Sequence, residues 1–421
     1  MTPEQITLAI YNLALIPVVF FSVVFLVLSF LGLFTDKKIG TINKKNRKYP
    51  SVTVQIPSFN DLVAIRCAKA CMAMRYPKNK VQYMIVDDST DKKIALELKK
   101  FSKRNNILYI HRMHREGYKP GALRDAMPYV TGEIIVIFDA DFIPKKRFLE
   151  EITLPFKNPK IGIVQARQGF LNADYNLVSK FASYLLMIHH TILMPINHRI
   201  NTVFFCGTGG AIRKKAIEDA GGWNANSITE DSDLSIKILA KGYKNVYMKL
   251  ETPSEVPITL EGFLKQQMRW TYGNIRVFID HFKKIFFTRK FNIKQKLMIS
   301  YMTMGPTIAP IILIMTLAGL SGWFMGDPQL FELSQLFEFS INFFYTAGFL
   351  IMAGITLYKH KSLKEFPKLL LATFSVSIIL AFANSVAAYK AIFMKNKELY
   401  PSKKNSWICT PKQGNANYLK K

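Results

Sequence analysis

From Ile6 to Thr35 the chain carries no charged side chain. A run of this length can cross a bilayer, where every backbone group has to be satisfied internally, and Pro17 allows a kink within it. It is too long for the apolar core of a signal peptide, and the leading MTPEQ has no basic leader. Lys37, Lys38, Lys44, Lys45, Arg47 and Lys48 follow at once, so the positive-inside rule predicts the N-terminus outside and the next segment in the cytoplasm. Further apolar runs at about 297–325, 339–358 and 368–394 are each long enough to span. Residues 260–290 instead mix Phe263, Trp270, Phe278 and Phe282 with Lys265, Arg269, Arg276, Lys283 and Lys284. That mixture suits one or two amphipathic helices in the membrane interface.

The formal net charge is +28, from 57 Lys and Arg against 29 Asp and Glu. Such a surplus suggests nucleic acid, anionic lipid or phosphorylated substrates. Here the basic residues flank the apolar runs, which places them at a cytoplasmic membrane face and argues against a nucleic-acid partner. Cys67, Cys71, Cys206 and Cys409 have neither zinc spacing nor a disulfide framework; Cys67 and Cys71 read as core thiols on a helix.

Residues 51–250 alternate strand-like and helix-like segments. Strands are predicted at 51–57, 83–88, 107–112, 133–141 and 161–166, with helices over 62–75 and 91–103. The alternation predicts an α/β, Rossmann-like domain with a mostly parallel sheet. The segment EIIVIFDAD runs from a buried strand into Asp139 and Asp141, where open α/β sheets place their ligands. Two carboxylates one residue apart can share a divalent cation, Mg²⁺ or Mn²⁺, which suits a diphosphate.

Four more clusters accompany that pair. Asp87-Asp88-Ser89 ends another apolar strand, where carboxylates can accept hydrogen bonds from a base N–H or ribose hydroxyls. The loop His111-Arg112-x-x-Arg115-x-Gly117-Tyr118-Lys119 offers cations and backbone N–H groups to phosphate ahead of a helix. Thr229-Glu230-Asp231 has the form of an ordinary helix start, yet one of its carboxylates could remove a proton from an attacking hydroxyl. Upstream, Cys206-Gly207-Thr208-Gly209-Gly210 can approach a ligand through its backbone, and Trp223 offers either a sugar platform or a buried structural indole. Gln266-x-x-Arg269-Trp270 could neutralise a leaving diphosphate and stack an acceptor sugar, or could simply anchor the interface.

The ordered set D-D-S, D-A-D, T-E-D and Q-Q-M-R-W resembles the processive membrane-bound family-2 glycosyltransferases, which include cellulose synthase, the cellulose-synthase-like mannan and glucan synthases, and the hyaluronan and chitin synthases. The resemblance implies a GT-A catalytic domain and an inverting, metal-dependent transfer from a nucleotide sugar (UDP-glucose, UDP-GlcNAc or GDP-mannose) to a glycan or lipid acceptor. It implies donor contacts from Asp87, Asp88, Lys119 and Asp139, metal at Asp141, and Asp231 as general base. Glu230, Gln266, Arg269 and Trp270 would line the acceptor side. In the tail, Trp407-Ile408-Cys409-Thr410-Pro411-Lys412 resembles the gating loop of cellulose synthase. That likeness would bring Trp407 to the acceptor and Thr410 and Lys412 to the donor. Two positions depart from the mannan-synthase pattern: Gln168 stands where Trp is usual and Ser232 where Leu is common.

The expected organisation is a transmembrane helix over 1–36, a cytoplasmic GT-A domain over 50–255 and interfacial helices over 256–295. Transmembrane helices follow over 296–394, then a cytoplasmic tail over 395–421. The expected product is a β-1,4 glucan or mannan made at the plasma (inner) membrane. The competing expectations are a single transfer to a membrane lipid and, in a different class, a transporter with a cytoplasmic nucleotide-binding domain. Three spans after the catalytic domain would leave the tail outside, so one run, 368–394, is expected to be re-entrant or interfacial.

Overall fold

The computed structural model describes residues 2–35, 49–325 and 347–394. The gating-loop residues Trp407, Thr410 and Lys412, together with Cys409, lie outside the described residues.

Seven strands form one sheet: β1 (Val52–Ser58), β2 (Val81–Asp87), β3 (Leu108–His111), β4 (Ile134–Ile137), β5 (Ile161–Phe170), β6 (Gly210–Arg213) and β7 (Lys244–Ser254). Their order is β3-β2-β1-β4-β6-β5-β7, parallel except for β6, which runs antiparallel to both β4 and β5. Both faces are covered, so the strands read as unbroken apolar runs rather than alternating ones. Val52, Val54, Ile56, Ile134 and Val136 pack on one face against α2 (Val63–Met72), α3 (Lys92–Arg104) and α5 (Phe148–Ile152). Met84, Val86, Ile135 and Ile137 pack on the other against α4 (Tyr118–Ala126), α8 (Lys214–Asp219) and α9 (Glu230–Ala240). Cys67 and Cys71 are fully buried on α2, their sulfurs 3.9 Å apart.

Two strands fall outside the sequence expectation. β6 is four residues long and begins with a glycine, so it lacks an apolar run; its pairing is supplied by the strands on either side. β7 contains Lys244, Lys249 and Glu251, which break the pattern. Trp223 is buried against Phe205, with ring centroids 6.5 Å apart, so it belongs to the core and offers no platform to a sugar.

The membrane region is built from α1 (Pro3–Leu33), α11 (Ile293–Met304), α12 (Ile308–Met325), α13 (Gly348–Lys359) and α14 (Phe366–Phe393). Four helical stretches among the described residues are long and apolar enough to cross a membrane: Pro3–Leu33, Leu177–Ile200, Ile293–Met325 and Leu363–Phe393. The chain is thus an integral membrane protein. The stretch Leu177–Ile200 comprises α6 (Leu177–Ile188), a π-helical turn and α7 (Met194–Ile200). It is more than half enclosed by protein, joining the sheet to α1 and α13 through Ile188, Ile192 and Ile196. Contrary to the re-entrant expectation for 368–394, α14 runs without a break for 28 residues, about 42 Å at the α-helical rise.

At the end of α1, Lys359 donates to the Gly32 carbonyl at 2.6 Å and Arg199 to that of Phe34. Cations from two other elements thus satisfy the orphan carbonyls of this helix. The basic, aromatic segment forms one amphipathic helix, α10 (Leu260–Phe287), capped at its start by Thr259.

Candidate active site

The carboxyl ends of β1, β2 and β4 open onto a cleft with two lobes, of about 190 and 140 Å³. Ser58, Phe59, Asp61, Asp88 and Arg115 line the first lobe. Glu230, Asp231, Trp270, Gln168, Cys206 and Gly207 line the second. Lys119, Asp139, Asp141, Gln266, Arg269 and the segment Glu255–Pro257 belong to both.

The two adjacent aspartates at the end of β2 have different fates. Asp87 is fully buried, with Oδ1 accepting from the Ser89 N–H and hydroxyl at 3.1 and 2.6 Å. Its Oδ2 accepts from Tyr109 at 2.7 Å and meets His111 Nδ1 at 3.0 Å. Asp87 is held by partners within the protein, braces the strand ends, and is not among the residues lining either lobe. Asp88 reaches the first lobe and is gripped by the Arg112 guanidinium through two bonds of 2.6 Å. The basic loop is therefore only partly available to a ligand. His111 and Arg112 are held by Asp87 and Asp88, whereas Arg115, stacked 3.4 Å over the Phe59 ring, and Lys119 line the cleft.

Asp139 and Asp141 sit between the lobes. The Asp139 N–H is held by the Thr208 hydroxyl at 2.9 Å, and its Oδ1 is 2.6 Å from Lys119 Nζ. Lys119 also donates to the Gly207 carbonyl at 3.0 Å and lies 3.9 Å from Glu230. Among the described residues no group of three metal-ligating side chains occurs. Two carboxylates at the junction still fit Mg²⁺ or Mn²⁺, because such a cation takes one or two carboxylates and completes its shell with water and phosphate oxygens.

α9 brings Glu230 and Asp231 to the floor of the second lobe. Thr229 starts the helix without a side-chain cap bond, and Asp231 Oδ1 accepts from the Ser232 N–H at 2.8 Å. Gly207 has φ +77, and a Cβ there would lie 3.2 Å from Asp231 Oδ2 and 3.6 Å from Lys119 Nζ, so the glycine keeps open the space in front of the carboxylate. Burial raises the pKa of both acids. Glu230 reaches about 7, since burial and the charge of Asp231 outweigh the pull of Lys119. Asp231 is also raised by burial, against the Ser232 N–H, Lys119 and Arg269.

Three contacts seat α10 over this floor. A Cβ on Gly273 would lie 2.5 Å from Thr229 Cγ2, the Ser232 hydroxyl donates to Asn274 at 2.9 Å, and His281 Nε2 is 2.7 Å from Asp233. The departure at Ser232 thus contributes a bond between the two helices. Gln266, Arg269 and Trp270 are carried to the cleft as a result. Phe59 and Glu255 escaped the sequence reading of the site. Glu255 is brought in by its pairing with Arg66 at 2.8 Å.

A family model for glycosyl transferase family group 2 matches residues 134–359, more than half of the chain. A probable glucomannan 4-β-mannosyltransferase from rice is 33% identical over 293 residues, covering 66% of this chain and 53% of the rice protein. A glucomannan 4-β-mannosyltransferase from Arabidopsis thaliana is 35% identical over 280 residues, covering 63% and 51%. The chain spans about half the length of these curated relatives. Among solved structures, a mannosyltransferase from Pyrobaculum calidifontis, in complex with GDP-Man and Mn²⁺, superposes with a TM-score of 0.64 at 18% identity. The superposition covers 91% of this chain and 98% of that one, a likeness of fold. With helices on both faces of its sheet, carboxylates at the strand ends and long apolar helices, the chain has a GT-A fold and belongs to glycosyl transferase family group 2.

Proposed function

We propose that this chain is an inverting membrane glycosyltransferase that extends a β-1,4-linked mannan or glucan from a nucleotide sugar. The names of its plant relatives favour a mannosyl donor such as GDP-mannose. The observation that carries the reading is the position of Asp231, on the floor of the second lobe with the open space before Gly207 in front of it.

The nucleotide occupies the lobe of Asp88 and Arg115, and the acceptor sugar lies on Trp270 in the other. Asp231 takes the proton of an acceptor hydroxyl, whose oxygen bonds to C1 while the C1–O bond to the diphosphate breaks on the opposite face, inverting the anomer. Burial and the charge of Asp231 raise the pKa of Glu230 to about 7, which favours its protonated form beside an ionised Asp231, the base in this reading. Lys119 and Arg269 offset the charge of the departing diphosphate. A divalent cation on Asp141, with Asp139 beside it, would supply further neutralisation there. The catalytic domain faces the cytoplasm of the plasma (inner) membrane in this reading.

The test is incubation of the detergent-purified protein with a panel of nucleotide sugars and Mg²⁺ or Mn²⁺, followed by sizing and linkage analysis. β-1,4-Linked products longer than the acceptor are expected; a product limited to one sugar on a lipid refutes the reading. Asp141→Asn is expected to abolish metal-dependent transfer in a folded protein, and undiminished activity removes Asp141 from that role.

A further inference from the structure

We propose that Gln168 is a specificity-determining residue that reads a hydroxyl of the acceptor sugar through its side-chain carbonyl. The inference rests on the glycosyltransferase reading above and deepens its acceptor side. Gln168 lies on β5 opposite Thr252 of β7 and lines the lobe that contains Asp231 and Trp270. Its Nε2 donates to the Ser254 hydroxyl at 2.7 Å. Ser254 is itself fully buried and uses its own proton toward the Gly169 carbonyl at 3.4 Å, so its oxygen is the acceptor. That arrangement fixes which end of the amide is which. One N–H of the amide is engaged with the wall, and among the described residues no group meets Oε1.

Beside its charged and polar members, such as Asp231, Glu255 and Gln266, the lining of this lobe has an apolar part. Phe142, Leu186 and Ile228 offer a ligand only apolar contact, and Trp270 offers the face of an indole. Those groups hold the apolar face of a sugar ring but do not distinguish one hydroxyl from another. A neutral amide carbonyl accepts from a hydroxyl without competing for the proton that Asp231 must take. A site that offers such a bond also rejects a ring that cannot make it, because the polar group is then left unpaired.

The experiment uses the full chain in detergent with saturating GDP-mannose and β-1,4-mannotetraose as acceptor. Loss of one neutral hydrogen bond in Gln168→Leu is expected to raise the acceptor KM about three- to tenfold. The donor KM is expected to stay at its wild-type value, with a small drop in melting temperature from loss of the bond to Ser254. Ser254→Ala, which frees the amide to turn, is expected to raise the acceptor KM by a smaller factor. An unchanged acceptor KM in Gln168→Leu overturns the inference and leaves the proposed function standing. A parallel rise in both KM values with a lower melting temperature also overturns it, since Gln168 would then be only a brace between β5 and β7. A wild-type protein that modifies lipid but no oligosaccharide overturns both.

Discussion

Replacing Arg112 by lysine keeps the charge and removes the geometry. Every N–H of its guanidinium is engaged: Nε with Asp88 at 2.6 Å, Nη2 with Asp88 at 2.6 Å and Tyr118 O at 2.9 Å, and Nη1 with Glu116 O at 3.1 Å and Asp125 at 2.9 Å. Lysine has three donors on one atom, so at least two of these five acceptors lose their partner. Each buried acceptor left unsatisfied costs about 1–3 kcal/mol, which places Arg112→Lys at about 2–6 kcal/mol. The loss has a local consequence too. The Glu116 and Tyr118 carbonyls bracket the turn at Gly117 (φ +69) that presents Arg115 and Lys119 to the cleft. Gly121 packs on the same turn so closely that a Cβ would lie 1.9 Å from Glu116 O. Thermal unfolding in detergent should show a clear drop in melting temperature, and calorimetric titration with GDP should show weakened binding. An Arg112→Lys protein with wild-type melting temperature and wild-type GDP affinity would refute the reasoning.

Asp231→Asn should slow transfer by about a hundred- to ten-thousand-fold while GDP still binds; loss of GDP binding would move the residue to the donor side. Transfer needs Asp231 ionised, so the rate falls as pH drops through its raised pKa, and the acid limb of the pH–rate profile should lie above the ordinary aspartate range. Glu230→Gln mimics the protonated form that Glu230 takes below about pH 7 and should leave that limb near its wild-type position; a large move to lower pH would show Glu230 ionised there. Gly273→Ala gains about 1 kcal/mol of helix propensity yet forces a methyl to within 2.5 Å of Thr229, an overpacking cost of about 1–3 kcal/mol. Stability should therefore change little while kcat falls as Arg269 and Trp270 shift, and an unchanged kcat would show that the seat of α10 is slack.

The parts of this fold that were legible are those where one segment decides its own fate. β4 is such a case: an uncharged run leading into Asp139 and Asp141 has few alternatives. β6 was illegible because a four-residue strand starting at Gly210 takes its conformation from β4 and β5. The aspartates at 87 and 88 show another limit. Neighbouring residues leave a strand on opposite sides, and which side faces the cleft depends on Tyr109, His111 and Arg112 arriving from elsewhere in the chain. The basic loop looked like a phosphate site in its entirety, but half of its cations are consumed by those same aspartates. Glu255 and Phe59 carry no motif at all; only tertiary pairing brings them to the cleft.

The segment Glu255–Pro257 forms wall for both lobes, anchored where the Val256 N–H and carbonyl exchange bonds of 2.8 and 2.9 Å with the Asn172 side chain. Two ligands that share a wall are thermodynamically linked: whatever factor the donor applies to acceptor affinity through that segment, the acceptor must return to the donor. In the proposed reading that linkage passes in part through a segment held in place by Asn172, a residue that lines neither lobe.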